Sequence, residues 1–409
     1  MKVLIVAPYI THRSHPAFLR NQTGLGYMIH DIASSIGKIE EVDVFCFFCF
    51  TPSMEIDNFS VIGRSWRTFL RALRFRNLMD AFTYIYKFRP NFRKLPRTLY
   101  TFMATGQLEQ IVKNYDIVHI QQCTSLLFST IKACQRSHVP FLTTLHGLIS
   151  FEKEVYAESA AKRLERFLIK ESAEKRWPMT YISTGIRRTA EDYIGKSDIK
   201  SFYVVTNGTP IDGMDAPNND AENLRAKHNI PLNDFVFVCV GNLSPRKNQV
   251  QVARAYALLP SEVQKHTWIV FIGREVDYGA LRTMIADKEL ASRLLILGSM
   301  PSQNVNAYYA IANATVLASI SEGFGLSIIE GFAAGLPNLT FSNLSAVPDL
   351  YDAKAMISVH ERTDEALAQG MMDMMNTSWD KSYIKHHAHK FSLENMAAQY
   401  INVYHQICK

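Results

Sequence analysis

Two doubly wound α/β domains are what this sequence predicts, and three observations predict them. The chain has 409 residues, too many for one ordinary core and enough for two or three domains at about 150 residues each. Short continuous apolar runs alternate with longer helical patterns throughout, as in parallel sheets covered on both faces. A cluster of turn formers and acids at 209–220 divides that alternation into two similar halves.

The first series of apolar runs predicts strands at 2–7, 42–48, 116–120, 140–144, 179–183 and 202–205. The second predicts them at 235–240, 267–272, 292–297, 314–317, 337–341 and 356–359. Helical periodicity fits between them, for example at 26–36, 126–137, 248–259 and 326–334. In such sheets ligands lie beyond the carboxyl ends of the strands, so two facing sheets would hold a ligand in the cleft between them.

A hydrophobic fraction of 47% and a charged fraction of 20% exclude a disordered chain, a collagen-like repeat and a disulfide mini-protein. The opening apolar run lacks a small-residue cleavage site and passes directly into Thr11-His12-Arg13, which reads as a buried first strand. No stretch approaches the ~18–20 apolar residues of a membrane span. Cys46 and Cys49 have the spacing of a redox or zinc half-site, but they fall in a strand, where residues three apart point to opposite faces. No second pair completes a zinc site, so buried thiols and a reduced, cytoplasmic chain are expected.

Four motifs fail on inspection. Gly24-Leu-Gly26 begins like a dinucleotide fingerprint, but Ile29 stands where the third glycine belongs. Gly195-Lys-Ser197 resembles the end of a P-loop, with Ala190 in place of the required glycine. No Asp-x-Asp pair is present to bridge a metal to a diphosphate. His386-His-Ala-His389 has no carboxylate or cysteine partner spaced to join it and reads as a solvated helix. No metal or other cofactor is expected.

The informative stretch is Ser321-Glu-Gly-Phe-Gly-Leu-Ser-Ile-Ile-Glu-Gly-Phe-Ala-Ala-Gly-Leu-Pro337, which follows a predicted strand and opens a helix. Gly323 and Gly325 allow close backbone approach, and first-turn N–H groups point outward to suit an anionic or hydroxyl-rich ligand. Glu322 precedes the helix and Glu330 lies about one turn in, so both carboxylates can reach one ligand. Bracketed by Gly-Phe-Gly-Leu and Ala-Ala-Gly-x-Pro, the pair becomes a specific signal.

On these residues the sequence resembles the retaining glycosyltransferases of family 4, which have the GT-B fold of two Rossmann-like domains. Glu322 and Glu330 match the Glu-x7-Glu signature of that family. Val240-Gly-Asn-Leu-Ser-Pro-Arg-Lys-Asn248 resembles its diphosphate loop, and Phe271-Ile-Gly-Arg274 and Leu297-Gly-Ser-Met-Pro301 its base-binding segments. Ser342-Asn-Leu-Ser-Ala-Val-Pro-Asp349 resembles the block after the signature. Thr144-Leu-His-Gly147, Val204-Val-Thr-Asn-Gly208 and, more weakly, Gly24-Leu-Gly26 resemble segments of the first domain.

The resemblance implies that Lys247, with Arg246, neutralises the diphosphate and that Glu330 accepts from ribose hydroxyls. It gives Glu322 and the N–H groups of Gly323, Phe324, Gly325 and Leu326 the donor sugar and phosphate, and places Met300 near the base. His146 would contact the sugar, and Gly24 and Gly26 would let the first domain close over the diphosphate. The family often has arginine where Asn242 stands, so either Arg246 supplies the missing charge or diphosphate binding is weakened. Domains 1–208 and 209–391 follow, with a last helix in 392–409 crossing back to the first.

Plainer readings stand beside these. Lys247 could be a surface lysine at a helix start, His146 a satisfied core histidine, and Glu322 only a helix cap. The resemblance implies transfer of a sugar from a nucleotide diphosphate to a lipid-linked or polysaccharide acceptor, with uridine the expected base on family frequency alone and a GDP-linked donor the alternative. A nucleotide-sugar epimerase or hydrolase, and a catalytically silent relative, are the alternatives.

Charge is concentrated in one place. Between Arg64 and Arg97 lie ten basic residues and one acid, a local +9 in a chain of net +6. Arg64, Arg67, Arg71 and Arg74 recur at helical spacing as one stripe, and Trp66, Phe69, Leu70 and Leu73 form another centred well over a third of a turn away, with aromatics continuing to Phe92. A basic amphipathic helix with aromatics can lie on an anionic bilayer, at about 1 kcal/mol per cation. The segment 64–100 is therefore expected to contact the inner membrane face. The alternative is a core-packed insertion with solvated arginines. No nucleic-acid module is recognisable, so no nucleic-acid partner is expected.

Overall fold

The computed structural model describes residues 1–12, 15, 18, 24–47, 52–63, 74–121, 124–152, 157–212, 218–276, 279–287 and 290–409. It divides into two units. Unit 1 comprises Met1–Asn207 with Leu393–Lys409, and unit 2 comprises Gly208–Ser392. These divisions fall one residue from the expected boundaries.

Unit 1 is built on an eight-stranded sheet: β1 (Lys2–Ala7), β2 (Glu41–Cys46), β3 (Met54–Ile56), β4 (Phe59–Val61), β5 (Ile117–Gln121), β6 (Phe141–Leu145), β7 (Met179–Tyr181) and β8 (Phe202–Val204). The order is β3-β4-β2-β1-β5-β6-β7-β8, with every pairing parallel except β3 with β4. Val3 to Ala7 are fully buried, as a central parallel strand covered on both faces requires. The hairpin β3–β4 turns through Asp57, at φ 49°, and Asn58, and the sequence reading missed it.

Unit 2 contains β9 (Phe235–Val240), β10 (Thr267–Ile272), β11 (Leu294–Ile296), β12 (Ala314–Leu317), β13 (Asn338–Phe341) and β14 (Met356–Val359). They form one parallel sheet in the order β11-β10-β9-β12-β13-β14, which within the unit is the 3-2-1-4-5-6 order of a dinucleotide-binding fold. Phe237, Val252, Tyr256, Phe271, Leu339 and Met371 lie in its core. The strand order reverses between β9 and β12. Loops leaving neighbouring strands at such a point diverge and open a crevice at their carboxyl ends.

The helix Leu393–Ile407 belongs to unit 1. Met396, Ala397, Tyr400, Val403 and Tyr404 form its buried stripe, and it packs on the helix Gly24–Gly37. Among the described cysteines Cys46, Cys134 and Cys239 are buried thiols, while Cys408 is exposed; Cys49 and Cys123 lie outside the described residues. Burial pushes the Cys239 thiol up to about 12. The histidine-rich helix Lys381–Ala388 is not wholly solvated as expected: His387 is buried against Phe332 and Phe391, with Nε2 at 3.2 Å from the Leu350 carbonyl.

Candidate functional site

The switch point of unit 2 gathers the strongest sequence candidates. After β9, the loop to Asn248 is clamped by buried Gln249, whose amide donates to the Asn242 carbonyl at 3.1 Å and accepts from Ser244 N–H at 3.3 Å. Asn248, at φ 52°, then starts the helix Gln249–Ala257. The loop after β12 zips onto this one: Ile320 N–H donates to the Arg246 carbonyl at 2.8 Å, and the Arg246 guanidinium to the Ser321 carbonyl at 2.6 Å. Two segments far apart in sequence thus become one wall.

Within that wall Lys247 Nζ lies 2.6 Å from Glu322 Oε1, and Arg246 Nη1 lies 3.6 Å from Oε2. The Ser319 hydroxyl donates to Glu322 Oε1 at 2.5 Å, and the Ser345 hydroxyl fixes the Glu322 backbone at 2.6 Å. Burial pushes the Glu322 carboxyl up, but the two cations and the hydrogen bonds from Lys247 and Ser319 outweigh it. The result lies below the ordinary carboxylate range. Glu322 is therefore ionised at neutral pH, and it is a partner of the cations as well as a candidate ligand group.

Gly325, at φ 79°, turns the chain into the helix Leu326–Ala333, a conformation costly for any residue with a β-carbon. Gly323 sits in the same turn. Phe324 does not present its side chain to a ligand, because the ring is buried against Phe391 at 5.9 Å; only its backbone is available. Glu330 accepts from the Tyr309 hydroxyl at 2.8 Å. Asn242 is exposed, and Met300 is half-buried in the loop after β11.

Sequence reasoning missed the supports. Arg362 donates to the Ser319 carbonyl at 2.5 Å and to Asn343 Oδ1 at 2.9 Å, with its guanidinium 4.5 Å from the centre of the Phe341 ring. Tyr309 and Ser319 carry no motif, and only the fold brings them to the two glutamates.

His146 belongs to unit 1, immediately after β6. It is half-buried, and its Nε2 lies 2.6 Å from Gln121 Oε1. Burial lowers its pKa to about 4, so the ring is neutral at pH 7. Gly24 and Gly26 stand in the first turn of the helix Gly24–Gly37. A β-carbon on Gly26 would lie 2.0 Å from Thr11 Oγ1, so this glycine serves packing against the chain leaving β1.

Among the described residues His12, His30 and Asp57 of unit 1 are placed to share a cation. However, His12 Nδ1 accepts from the His15 N–H at 2.8 Å, which puts the proton of the neutral ring on Nε2, the atom facing Asp57 at 3.5 Å. His30 Nε2 lies 2.8 Å from the same carboxylate, and the arrangement is that of a hydrogen-bonded cluster.

Of the basic segment, Arg64, Arg67, Arg71, Trp66, Phe69, Leu70 and Leu73 lie outside the described residues. In the helix Phe75–Phe88, Ala81, Tyr84 and Phe88 are buried, and both rings pack on Phe128. Phe75, Met79, Phe82 and Tyr86 form an exposed stripe on the same helix, between 53% and 83% accessible. Arg76 is not merely solvated, since it pairs with Glu109. Arg89, Arg93 and Lys94 are exposed beyond the helix end.

Comparison with known proteins agrees with this division. Glycosyl transferases group 1 matches residues 220–391, and Glycosyltransferase Family 4 matches residues 24–212. The O-antigen chain mannosyltransferase B of Escherichia coli is 28% identical over 169 residues, 40% of this chain and 44% of that protein. The match thus spans less than half the length of that relative. A glycosyltransferase structure from Rickettsia africae ESF-5 superposes with TM-score 0.72 at 16% identity, covering 100% of this chain and 98% of the other. Anabaena HepE in complex with UDP and glucose gives 0.67 at 16% identity, over 99% and 100%. With a family match on each unit and the GT-B fold along its length, the chain belongs to the group 1 and family 4 glycosyltransferases.

Proposed function

We propose that the chain moves a sugar from a nucleoside-diphosphate donor to a hydroxyl of a lipid-linked or polysaccharide acceptor, with retention at the anomeric carbon. The observation that carries this reading is the meeting of Lys247 and Arg246 with Glu322 beside the amide end of the helix Leu326–Ala333. Departure of a nucleoside diphosphate builds negative charge, and fixed cations and N–H donors at that place stabilise it by several kcal/mol. Arg246 supplies the charge that Asn242 does not.

Lys247 and Arg246 take the diphosphate, and Glu322 with the amides from Gly323 to Leu326 takes the sugar and phosphate. Glu330 takes the ribose hydroxyls, and Met300 lies towards the base. His146, in unit 1, is proposed to contact the sugar. HepE, solved with UDP and glucose, supports a uridine donor. The O-antigen mannosyltransferase supports a surface glycan as product. A nucleotide-sugar panel in a thermal-shift assay tests the reading. At least one donor should stabilise the wild type and not Lys247→Ala; no stabilisation by any donor would remove it.

The acceptor side is proposed to meet an anionic membrane surface through the exposed stripe from Phe75 to Tyr86 and the cations Arg89, Arg93 and Lys94. Among the described residues no helix is long and apolar enough to cross a membrane. Vesicles containing phosphatidylglycerol should float the protein at low salt, and failure to float would remove the membrane contact.

A further inference from the structure

The second glutamate of the signature has a partner that no motif announces. Tyr309 lies buried on the helix Ser302–Ile311, which follows β11. Its hydroxyl is 2.8 Å from Glu330 Oε2 on the helix Leu326–Ala333. Burial, with the charge of Glu330 and this hydrogen bond next, pushes the Tyr309 pKa well above the phenol range. The hydroxyl therefore keeps its proton. A carboxylate oxygen can only accept, so the bond runs from Tyr309 to Glu330.

The backbone that carries Glu330 is fixed as well. Gly331 lies flush on β12, where a β-carbon would stand 2.7 Å from Thr315 Cγ2 and 3.0 Å from its Oγ1. That Oγ1 accepts from Asn338 Nδ2 on β13 at 2.9 Å. Ile328, Ile329 and Phe332 are buried on either side. Packing thus prevents the helix from sliding, and what it leaves to be set is the rotamer of half-buried Glu330. The Tyr309 hydroxyl, on a ring locked in the core, holds one oxygen of that carboxylate in place.

A carboxylate aimed in this way suits a pair of adjacent hydroxyls, each with a proton to donate. We infer that Tyr309 is a positioning residue that aims Glu330 at the 2′- and 3′-hydroxyls of the donor's ribose, making the site select ribonucleotides over their deoxy forms. This rests on the proposed role of Glu330 and deepens it. The helix that carries Tyr309 is entered through Pro301, next to Met300. The segment proposed to lie towards the base therefore also carries the group that sets the ribose contact. Loss of the hydroxyl would release the carboxylate among its rotamers, while Lys247 and Arg246, on the loop after β9, would keep their hold on the diphosphate.

Calorimetry on the full chain tests this with UDP and GDP, the 2′,3′-dideoxy form of each, and pyrophosphate. The wild type should bind a nucleoside diphosphate at least about tenfold more tightly than its dideoxy form. Tyr309→Phe, which keeps the buried ring, should lose about five- to tenfold for the ribonucleotide, little for the dideoxy form and nothing for pyrophosphate. In a Glu330→Ala background the same substitution should weaken binding no further. Ribonucleotide affinity unmoved in Tyr309→Phe, or a fall shared equally by pyrophosphate, overturns the inference. A wild type that binds ribo and dideoxy forms alike removes the ribose role of Glu330 and the inference with it, and leaves sugar transfer standing. A wild type that binds no nucleoside diphosphate removes the donor reading and the inference together.

Discussion

Two buried polar clusters in this molecule meet the cost of desolvation in opposite ways. Around Glu322, unit 2 assembles charges and compensates them, with Lys247 at 2.6 Å and Arg246 at 3.6 Å from the carboxylate. Around His119, unit 1 removes charge altogether and surrounds a neutral ring with the hydroxyls of Tyr404 and Thr144 and the amide of Gln121. Both are routes by which a protein keeps polar atoms in its interior. The difference teaches what each cluster can do. A compensated charge can be exchanged for a charged ligand, while a neutral cluster only holds its groups in place.

The largest break in that contrast should come from Lys247→Ala. It removes the closest cation and leaves Glu322 buried with Arg246 alone, so stability should fall by about 3 kcal/mol in urea melts. Sugar transfer should fall by about 10²–10³-fold under saturating donor. Glu322→Gln sharpens the point. With the internal carboxylate charge gone, pyrophosphate should bind more tightly by calorimetry, by roughly tenfold, even as transfer drops.

Acid should separate the clusters next. The folded pKa values of His119 and His146 lie near 3 and 4, below the unfolded value of about 6.5. Between those limits the unfolded chain binds protons that the folded chain does not. Their stabilising contribution is therefore complete above pH ~6.5 and is lost as pH falls, by on the order of 1 kcal/mol per unit for each ring. Glu322 is also depressed, so its contribution is lost only below the ordinary carboxylate range. Urea melts between pH 7 and 5 should show a shallower slope in His119→Asn and an unchanged slope in Glu322→Gln.

Smaller effects test the packing around each cluster. Gly26→Ala would drive a methyl into Thr11 and should cost about 1–3 kcal/mol by thermal melting. Phe75→Ser with Phe82→Ser should change stability by no more than about 0.5 kcal/mol, because both rings are exposed. The same pair should lower binding to phosphatidylglycerol vesicles by about tenfold.

The parallel sheets were legible because strands such as Phe235–Val240 are buried on both faces and read as continuous apolar runs. The hairpin Met54–Val61 was not, since two three-residue strands leave too short a period; its one signal was the Asp57-Asn58 pair between alternating residues. Glu322, Lys247 and Arg246 were legible as motif residues. Their mutual pairing was not, because it depends on β9 and β12 becoming neighbours in the sheet. His119 and Gln121 were hidden inside an apolar strand, and their partner Tyr404 lies 285 residues beyond His119.

That separation has a consequence for how the polypeptide is made. A ribosome delivers β5 early and Tyr404 only after all of unit 2 has been synthesised. Until then the buried His119 ring lacks the Tyr404 hydroxyl that faces its Nδ1, so this Rossmann-like half cannot mature in the order in which it emerges.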